Sequence, residues 1–244
     1  MPRFFVRPEN IGDRSLLISG DDAFHIARSL RMAVGDEITV SDGAGCDLLC
    51  RLTRIRDEEC ECEILDRHAS PTEMPVEVTL YMAYPKGDKL ETVIQKAVEL
   101  GATAIVPFES SRCIKRPKAE KIDKQLARLS RIAEEAAKQC GRGRLPTVFA
   151  PVSFDEAITE AARADLPLFC YECEREGGLR RAIEEHRDAK TVSVIVGSEG
   201  GFSPEEAAAA AAAGAQSVSL GARILRCETA PLYALACIDF AFSE

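Results

Sequence analysis

Two glycine-bearing turns near the end of the chain hold the strongest candidates for a ligand-binding site. The first spans Val196 to Phe202 (VGSEGGF) and the second spans Leu220 to Ala230 (LGARILRCETA). Each turn follows an apolar, strand-like run, residues 191–196 and 215–220 respectively. Because glycine lets the backbone approach a ligand without an intervening Cβ, the two turns could bind a ligand largely through main-chain groups.

The first turn joins a predicted strand to a predicted helix. Residues 191–196 (TVSVIV) are rich in β-branched side chains, which is typical of a strand buried on both faces of a parallel sheet. The run Ser203-Pro204-Glu205-Glu206 predicts an N-cap, a proline at the first helical position and an acidic first turn. In open α/β sheets, this junction at the carboxyl end of a strand commonly binds nucleotides or cofactors.

The charge of the first turn restricts its ligand. The turn has neither the GKS/T ending nor the GxGxxG spacing of phosphate-binding loops, and Glu199 would repel a phosphate. A carboxylate there tolerates a cationic ligand such as a sulfonium. If 191–196 and 215–220 are neighbouring strands, their ends at Gly197 and Gly221 jointly wall a pocket. The alternative is a tight strand-to-helix turn that binds no ligand.

Further motifs, in order along nearly the whole chain, resemble those of the ribosomal RNA small-subunit methyltransferase E family. Ser198 departs from that family's pattern, because its first turn often reads GPEGG, with proline at this position. The other segments that carry the resemblance are His25 to Arg31, Gly35-Asp36, Asp42-Gly43, Gln95 to Gly101 (QKAVELG), and Glu135 to Arg142 (EAAKQCGR) with Pro146.

The resemblance implies an α/β fold of the SPOUT type, in which a parallel sheet carries a C-terminal trefoil knot, preceded by a small PUA-like β-barrel domain. It implies an enzyme that uses S-adenosylmethionine to methylate N3 of a uridine in the decoding region of 16S rRNA. The implied partners are 16S rRNA in the 30S subunit and a second copy of the chain, with neither DNA nor a membrane. Ribose 2′-O-methylation is the nearest alternative among RNA methyltransferases.

On this hypothesis the turns supply both catalytic and cofactor-binding residues. Arg226 would stabilise a deprotonated uracil, and Glu199 or Glu228 would serve as the base, although both carboxylates could instead bond backbone N–H groups of the turns. The residues expected to enclose the cofactor are Phe169, Tyr171, Val196, Gly197, Glu199, Gly200, Gly201, Leu220, Gly221, Ile224, Leu225, Thr229 and Ala230.

Charge is segregated along the chain. The net charge is −9, yet residues 112–144 hold eleven Lys or Arg against four Asp or Glu, a net +7 that leaves −16 for the remainder. Such a basic stretch can attract RNA phosphates, although a solvated helical face is the simpler alternative. The expected RNA-binding residues are Arg3, Arg7, His25, Arg28, Arg31, Arg112, Lys115, Arg116, Arg142 and Arg144.

The pattern of elements predicts two domains. Residues 1–70 are β-rich, with one helix over 23–31 capped by Asp21 or Asp22. The resemblance implies that they form the PUA-like RNA-recognition domain. Residues 71–75 contain two prolines and form a linker. Residues 76–244 alternate strands and helices, as in a parallel α/β domain. The predicted bounds there are strand 76–83, helix 88–100, strand 103–108, helix 119–139, helix 154–164, strand 166–171 and helix 178–185.

Composition favours a reduced, cytoplasmic protein without a metal. Ten cysteines in 244 residues are too few for a disulfide scaffold, and the CxxC of Cys170 and Cys173 has no second CxxC to complete a zinc site. No apolar run approaches the roughly 20 residues of a membrane span, and the first residues lack the apolar core of a signal peptide.

Two functions from other classes stay open. The chain could be an RNA-binding module without catalysis, in which case it would bind no cofactor. It could also be a nucleotide-binding enzyme that acts on a small molecule, in which case neutralising Arg112, Arg142 and Arg144 would not affect turnover.

Overall fold

The computed structural model describes residues 1–114, 116 and 119–243. Lys115, one of the expected RNA-binding residues, lies outside this range. The chain divides into two compact units. Met1–Glu73 and Ala137–Leu145 form the first, and Met74–Ala136 with the chain from Pro146 onward forms the second. Within the described residues, no helix is both long enough and apolar enough to cross a membrane.

The first unit is built on a five-stranded sheet with the strand order β1-β3-β4-β5-β2. Its pairs are antiparallel except for β1 with β3. Alternate residues point into one core, so that Ile18, Val40 and Leu52 are buried together. The elements are β1 (Arg3–Phe5), β2 (Ser15–Ser19), α1 (Asp21–Phe24), β3 (Glu37–Ser41), β4 (Cys46–Ile55) and β5 (Glu59–Ala69).

Helix α1 differs from the prediction in its start and its cap. It begins at Asp21, and its N-cap is Gly20, with φ 69° and no side-chain cap bond. The prediction that Asp21 or Asp22 caps the helix is therefore wrong. Asp22 instead accepts hydrogen bonds of 3.1 and 3.2 Å from Lys138.

The same helix also ends early and changes its winding. From His25 to Ser29 the chain forms a π-helix, and Arg31 then takes a left-handed φ of 52°. The wider turn changes which residues face inward. Ala23 and Ile26 are buried, whereas Phe24 and Leu30, which have α-helical spacing, are exposed.

Residues 137–145 bind to the sheet of the first unit through backbone and side-chain contacts. The Leu145 N–H donates to the Gly43 carbonyl at 2.9 Å, and the Ser41 hydroxyl donates to the Gly143 carbonyl at 2.5 Å. Glu73 accepts the N–H groups of Gly143 and Arg144 at 2.9 and 3.0 Å. These contacts explain why the segment belongs to a unit from which it is distant in sequence.

The second unit confirms the predicted parallel α/β architecture. Its main sheet has the order β12-β10-β11-β6-β7-β8, with β9 paired to β7, and every pair is parallel. The elements are β6 (Glu77–Ala83), α2 (Lys89–Glu99), β7 (Ala104–Glu109), α3 (Ile122–Cys140), β8 (Thr147–Val148), β9 (Val152–Ser153), α4 (Phe154–Ala161), β10 (Leu166–Cys170), α5 (Leu179–Glu185), β11 (Thr191–Val196), α6 (Pro204–Ala212), β12 (Gln216–Val218) and α7 (Thr229–Phe242).

Local sequence signals account for several of these elements. Helix α6 begins as predicted, with Ser203 accepting the Glu206 N–H and the Glu206 carboxylate accepting the Ser203 N–H. Helix α2 buries Leu90, Val93, Ile94, Ala97 and Val98, the face given by its i, i+3, i+4 spacing.

The order of strands corrects one expectation about the turns. Strands β11 and β12 are not neighbours, because β10 lies between them and pairs with both. Cys170 of β10 is level with Val196 of β11 and with Val218 of β12. The carboxyl ends of three strands therefore meet at one edge of the sheet. The trefoil knot stays a prediction.

Candidate functional site

A cleft of about 430 Å³ opens at the carboxyl edge of β10, β11 and β12. The turns after these strands supply nearly all of its wall, and the start of α2 supplies one side chain. Its lining residues are Lys89, Cys170, Tyr171, Glu172, Arg175, Val196, Gly197, Ser198, Glu199, Gly200, Gly201, Ser219, Leu220, Gly221, Ala222, Arg223, Ile224, Leu225, Arg226, Cys227 and Ala230.

The first turn is compact because its glycines let the backbone fold back on itself. The Gly201 N–H donates to the Ser198 carbonyl at 2.9 Å, and Gly201 takes a left-handed φ of 62°. A Cβ on Gly197 would lie 3.1 Å from the Cα of Gly201, and a Cβ on Gly201 would meet the Glu172 carboxylate. Neither position accepts a side chain without displacing its surroundings.

Contacts with Arg112 hold this turn from outside. The Arg112 guanidinium donates to the Gly200 carbonyl at 2.9 Å, and the buried Ser198 hydroxyl donates to the Arg112 carbonyl at 3.4 Å. Ser198, which stands where the family often has proline, thus makes a hydrogen bond that proline could not make.

The second turn runs along the cleft and leads into α7. The Gly221 N–H donates to the Ser219 hydroxyl at 3.3 Å, and Gly221 has a φ of 107°. The Arg226 carbonyl accepts the N–H groups of Thr229 and Ala230 at 2.8 and 2.9 Å, which starts the helix. The Arg226 side chain is exposed and makes no hydrogen bond or ion pair with any residue in the described part of the chain.

Most of the residues expected to contact a cofactor line this cleft, but Phe169, Thr229 and the candidate base Glu228 do not. Phe169 is a core residue, only 1% exposed, whose ring packs 4.3 Å from that of Phe202. The strand alternation that turns Cys170 toward the cleft turns Phe169 away from it. Its role as a direct cofactor contact therefore stays a prediction that the cleft lining does not support.

Lys89 joins the two candidate bases. Its Nζ lies 3.1 Å from Oε1 of Glu199 and 3.0 Å from Oε2 of Glu228. Burial raises the pKa of Glu199, but hydrogen bonds from its own N–H, from Lys89 and from the Lys86 N–H outweigh burial and lower that pKa overall. For Glu228, its backbone N–H is the largest cause of a lowered pKa, with Cys227 and Lys89 contributing. Both glutamates are therefore carboxylates at neutral pH.

Several lining residues carried no signal in the sequence. Lys89 follows β6, and its approach to the cleft depends on β6 lying beside β11, an order that periodicity does not reveal. Glu172 and Arg175 follow β10 in the same way. The prediction that ligands bind at the carboxyl ends of strands could have found them only if the strand order had been known.

In the first unit, two of the expected RNA-binding arginines are engaged internally. The Arg3 guanidinium donates to both oxygens of buried Asp47 at 2.7 and 2.8 Å. Arg142 is 3% exposed and forms an ion pair with Glu73 at 2.7 Å. Their guanidinium groups hold this unit together, and their assignment as phosphate contacts stays a prediction without support from these contacts.

The remaining basic candidates of the first unit reach the surface to different extents. Arg7 is exposed and lies 3.8 Å from Glu9, whereas the exposed Arg28 forms a close pair with Asp57 at 2.5 Å. The other basic candidates are exposed His25, exposed Arg31 and half-buried Arg144. In the second unit, Arg112 and Arg116 are exposed, and Arg116 lies 3.8 Å from Glu109.

A parallel sheet with a cleft at its carboxyl edge is typical of α/β proteins that bind a cofactor. Two family models match the sequence of this chain. Residues 72–239 match the RNA methyltransferase domain, and residues 18–65 match the RNA methyltransferase PUA domain.

Individual relatives agree with these models. The chain is 32% identical to ribosomal RNA small subunit methyltransferase E of Bacillus subtilis, with 91% of this chain and 89% of that protein aligned. It is 34% identical to the Synechocystis protein of the same name, over 97% and 77% of the two chains. The crystal structure of a ribosomal RNA small subunit methyltransferase E from Neisseria gonorrhoeae bound to S-adenosyl methionine superposes with a TM-score of 0.84, at 34% identity and covering 98% and 97%. The chain belongs to the ribosomal RNA small subunit methyltransferase E family.

Proposed function

We propose that this protein transfers a methyl group from S-adenosylmethionine to N3 of a uridine in 16S rRNA of the small ribosomal subunit. The observation that carries the proposal is the backbone-walled cleft at the carboxyl edge of the sheet, formed by Gly197–Gly201 and residues 220–230. The Neisseria gonorrhoeae relative binds S-adenosyl methionine, and it has the same fold over nearly its whole length.

The residues of the cleft fit this cofactor. Glu199 and Glu172 supply carboxylates toward a cationic ligand, and Leu220, Ile224 and Leu225 supply apolar surface for an adenine ring. When bound, S-adenosylmethionine supplies a methyl group activated by its positively charged sulfur. The glycines of the first turn admit the close approach that a side chain would block.

The protein's own residues must hold the uracil and manage its N3 proton. Arg226 lines the cleft, and its guanidinium has no partner among the described residues, so it is free to stabilise the uracil anion. Glu199 also lines the cleft and is the better candidate for the base, because Glu228 lies outside the lining. A lowered pKa makes Glu199 a weak base but keeps it able to accept a proton.

We further propose that residues 1–70 recognise RNA, that 71–75 link them to a catalytic domain over 76–244, and that the protein is a cytoplasmic homodimer. Exposed Tyr233 and Phe240 on the apolar helix α7 support a subunit interface. The RNA-binding side chains in this proposal are the exposed basic ones, namely Arg7, His25, Arg28, Arg31, Arg112 and Arg116, with Arg144.

The direct test is methyl transfer from labelled S-adenosylmethionine to purified small subunits that lack the modification, followed by mass spectrometry of the labelled nucleoside. The proposal requires 3-methyluridine. A 2′-O-methylated nucleoside would show a ribose methyltransferase instead. Absence of both transfer and cofactor binding would leave an RNA-binding module without catalysis.

The role of Arg226 is tested by Arg226→Ala. Since removing one preorganised donor to a developing anion typically lowers the rate by about 10²–10³, we expect a loss of that order in methyl transfer. Cofactor affinity measured by calorimetry should stay within about twofold. Arg163→Ala, which removes an exposed arginine paired with Glu160 on α4, is the matched control. Equal losses of transfer and affinity in Arg226→Ala would reassign this arginine to the structure of the turn.

A further inference from the structure

Among the described residues, Lys89 is the one lining residue that belongs neither to β10, β11 and β12 nor to the segments that directly follow them. It is the first residue of α2, which follows β6, the neighbour of β11. Its Nζ contacts Glu199 in the first glycine-bearing turn and Glu228 at the end of the second, at 3.1 and 3.0 Å. One ammonium group therefore joins two turns that are separated by β12 and α6 in sequence.

The remaining contacts fix the position of this cluster. Glu199 also accepts the Lys86 N–H at 3.1 Å, so the segment before α2 and the first residue of α2 both hold the same carboxylate. Cys227 lies 3.8 Å from the Lys89 Nζ and 3.2 Å from Glu228. The three charged side chains are only about 30% exposed, so their interaction is screened less than that of a surface pair.

The charges of the cluster depend on Lys89. Two carboxylates and one ammonium give a net charge of −1, whereas without the ammonium two negative charges would face each other across the cleft wall. Like charges at such separations repel, and partial burial strengthens the repulsion. The ammonium group has three donors on a compact charge, which suits simultaneous contact with two carboxylates.

We propose that Lys89 is a positioning residue for methyl transfer, which clamps the two glycine-bearing turns together through Glu199 and Glu228 and so keeps the cofactor cleft formed. The inference rests on the proposed function for its consequence in catalysis. Its structural part concerns the ligand-free protein and is independent of the substrate.

The experiment compares the full-length wild type with Lys89→Met, which keeps most of the apolar stem and removes the charge. Hydrogen exchange without cofactor should be at least about tenfold faster in peptides that contain residues 197–201 and 221–230, which corresponds to a loss of about 1.4 kcal/mol of local protection. Peptides from β6 and β7 should exchange as in the wild type. Arg181→Met, which breaks an exposed pair with Glu185 on α5, is the matched control and should change neither turn.

Catalytic measurements separate positioning from a general loss of structure. In Lys89→Met the KM for S-adenosylmethionine should rise about tenfold, with the KM for the small subunit within about twofold of the wild type. Lys89→Arg should restore both exchange and KM to within about threefold, because a guanidinium can also donate to two carboxylates. Unchanged exchange at both turns in Lys89→Met, or failure of Lys89→Arg to restore them, would overturn the inference.

A second variant serves if Lys89→Met does not fold. Glu228→Met leaves Lys89 paired with Glu199 and breaks only the link to the second turn. Glu228→Met should speed hydrogen exchange more in residues 221–230 than in residues 197–201. Exchange at the wild-type rate in both segments would refute the clamp. A wild type that shows neither cofactor binding nor methyl transfer would instead refute the proposed function and would leave the exchange results unaffected.

Discussion

Replacement of Gly201 by alanine tests whether the first turn holds the cofactor through close backbone approach. Gly201 has a left-handed φ of 62°, a conformation that costs a residue with a Cβ about 1–2 kcal/mol. For a protein of this size, each kcal/mol corresponds to about 2–4 °C in Tm. We therefore expect Gly201→Ala to lower the Tm by about 2–8 °C.

Gly201→Ala should also weaken cofactor binding beyond its effect on stability. The new Cβ would meet the Glu172 carboxylate, which lines the cleft and must then move. We expect the Kd for S-adenosylmethionine to rise at least about tenfold, or about 1.4 kcal/mol. Calorimetric titration and thermal unfolding of the same preparations measure the two effects.

Gly214→Ala is the control for this experiment. Gly214 follows α6 with a φ of 100°, a Cβ there would meet nothing within 4 Å, and the residue is absent from the cleft lining. It should lose stability of a similar order while its Kd stays within about twofold of the wild type. If Gly201→Ala loses stability but binds the cofactor as tightly as Gly214→Ala does, the assignment of the first turn as a backbone cradle is wrong.

Two further predictions concern stability and thiol chemistry. Burial raises the pKa of Glu73, but Arg142 and the N–H groups of Arg144 and Gly143 outweigh it, and its pKa falls below the usual 4.5. The Glu73–Arg142 ion pair should therefore contribute its full stability at pH values above 4.5 and lose it as the pH falls through the lower pKa of the folded state. Glu73→Gln should lower the free energy of unfolding in urea by about 3 kcal/mol at pH 7. A loss that does not shrink in acid would contradict this account. Iodoacetamide at pH 8 should label the exposed Cys173 first, because burial raises the pKa of four other thiols to about 12, namely Cys50, Cys62, Cys170 and Cys227. If mass spectrometry finds these four thiols labelled as fast as Cys173, the prediction is refuted.

Signals that act over a few residues were predictable from the sequence. The N-cap at Ser203 and the buried face of α2 depend on side chains within one or two turns of each other. The structure confirms the predicted cap, and α2 buries the residues that its i, i+3, i+4 spacing places on one face. The cap of α1 was predicted wrongly because Gly20 supplies the backbone conformation at that position, and Asp22 pairs with Lys138, far away in sequence.

Properties that depend on the order of strands were not predictable. Periodicity identifies β10, β11 and β12 as strands, but it does not show that β10 separates the other two or that β6 brings Lys89 to the cleft. The two turns that line the cleft were therefore recognisable in the sequence, whereas the burial of Phe169 in the core was not. Long-range pairing decided both the strand order and the environment of the carboxylates.

Long-range ion pairs also affect how strongly the basic segment can attract RNA. The net charge of +7 in residues 112–144 predicts a strongly basic segment, yet several of its cations pair with carboxylates from other segments. Arg128 pairs with Glu91, Lys138 with Asp22 and Arg142 with Glu73. Since a paired cation releases fewer counterions from RNA, the attraction of this segment for phosphates is weaker than its charge indicates. On the proposed function, specific binding would then depend more on the shape of the RNA and on the residues of the first unit.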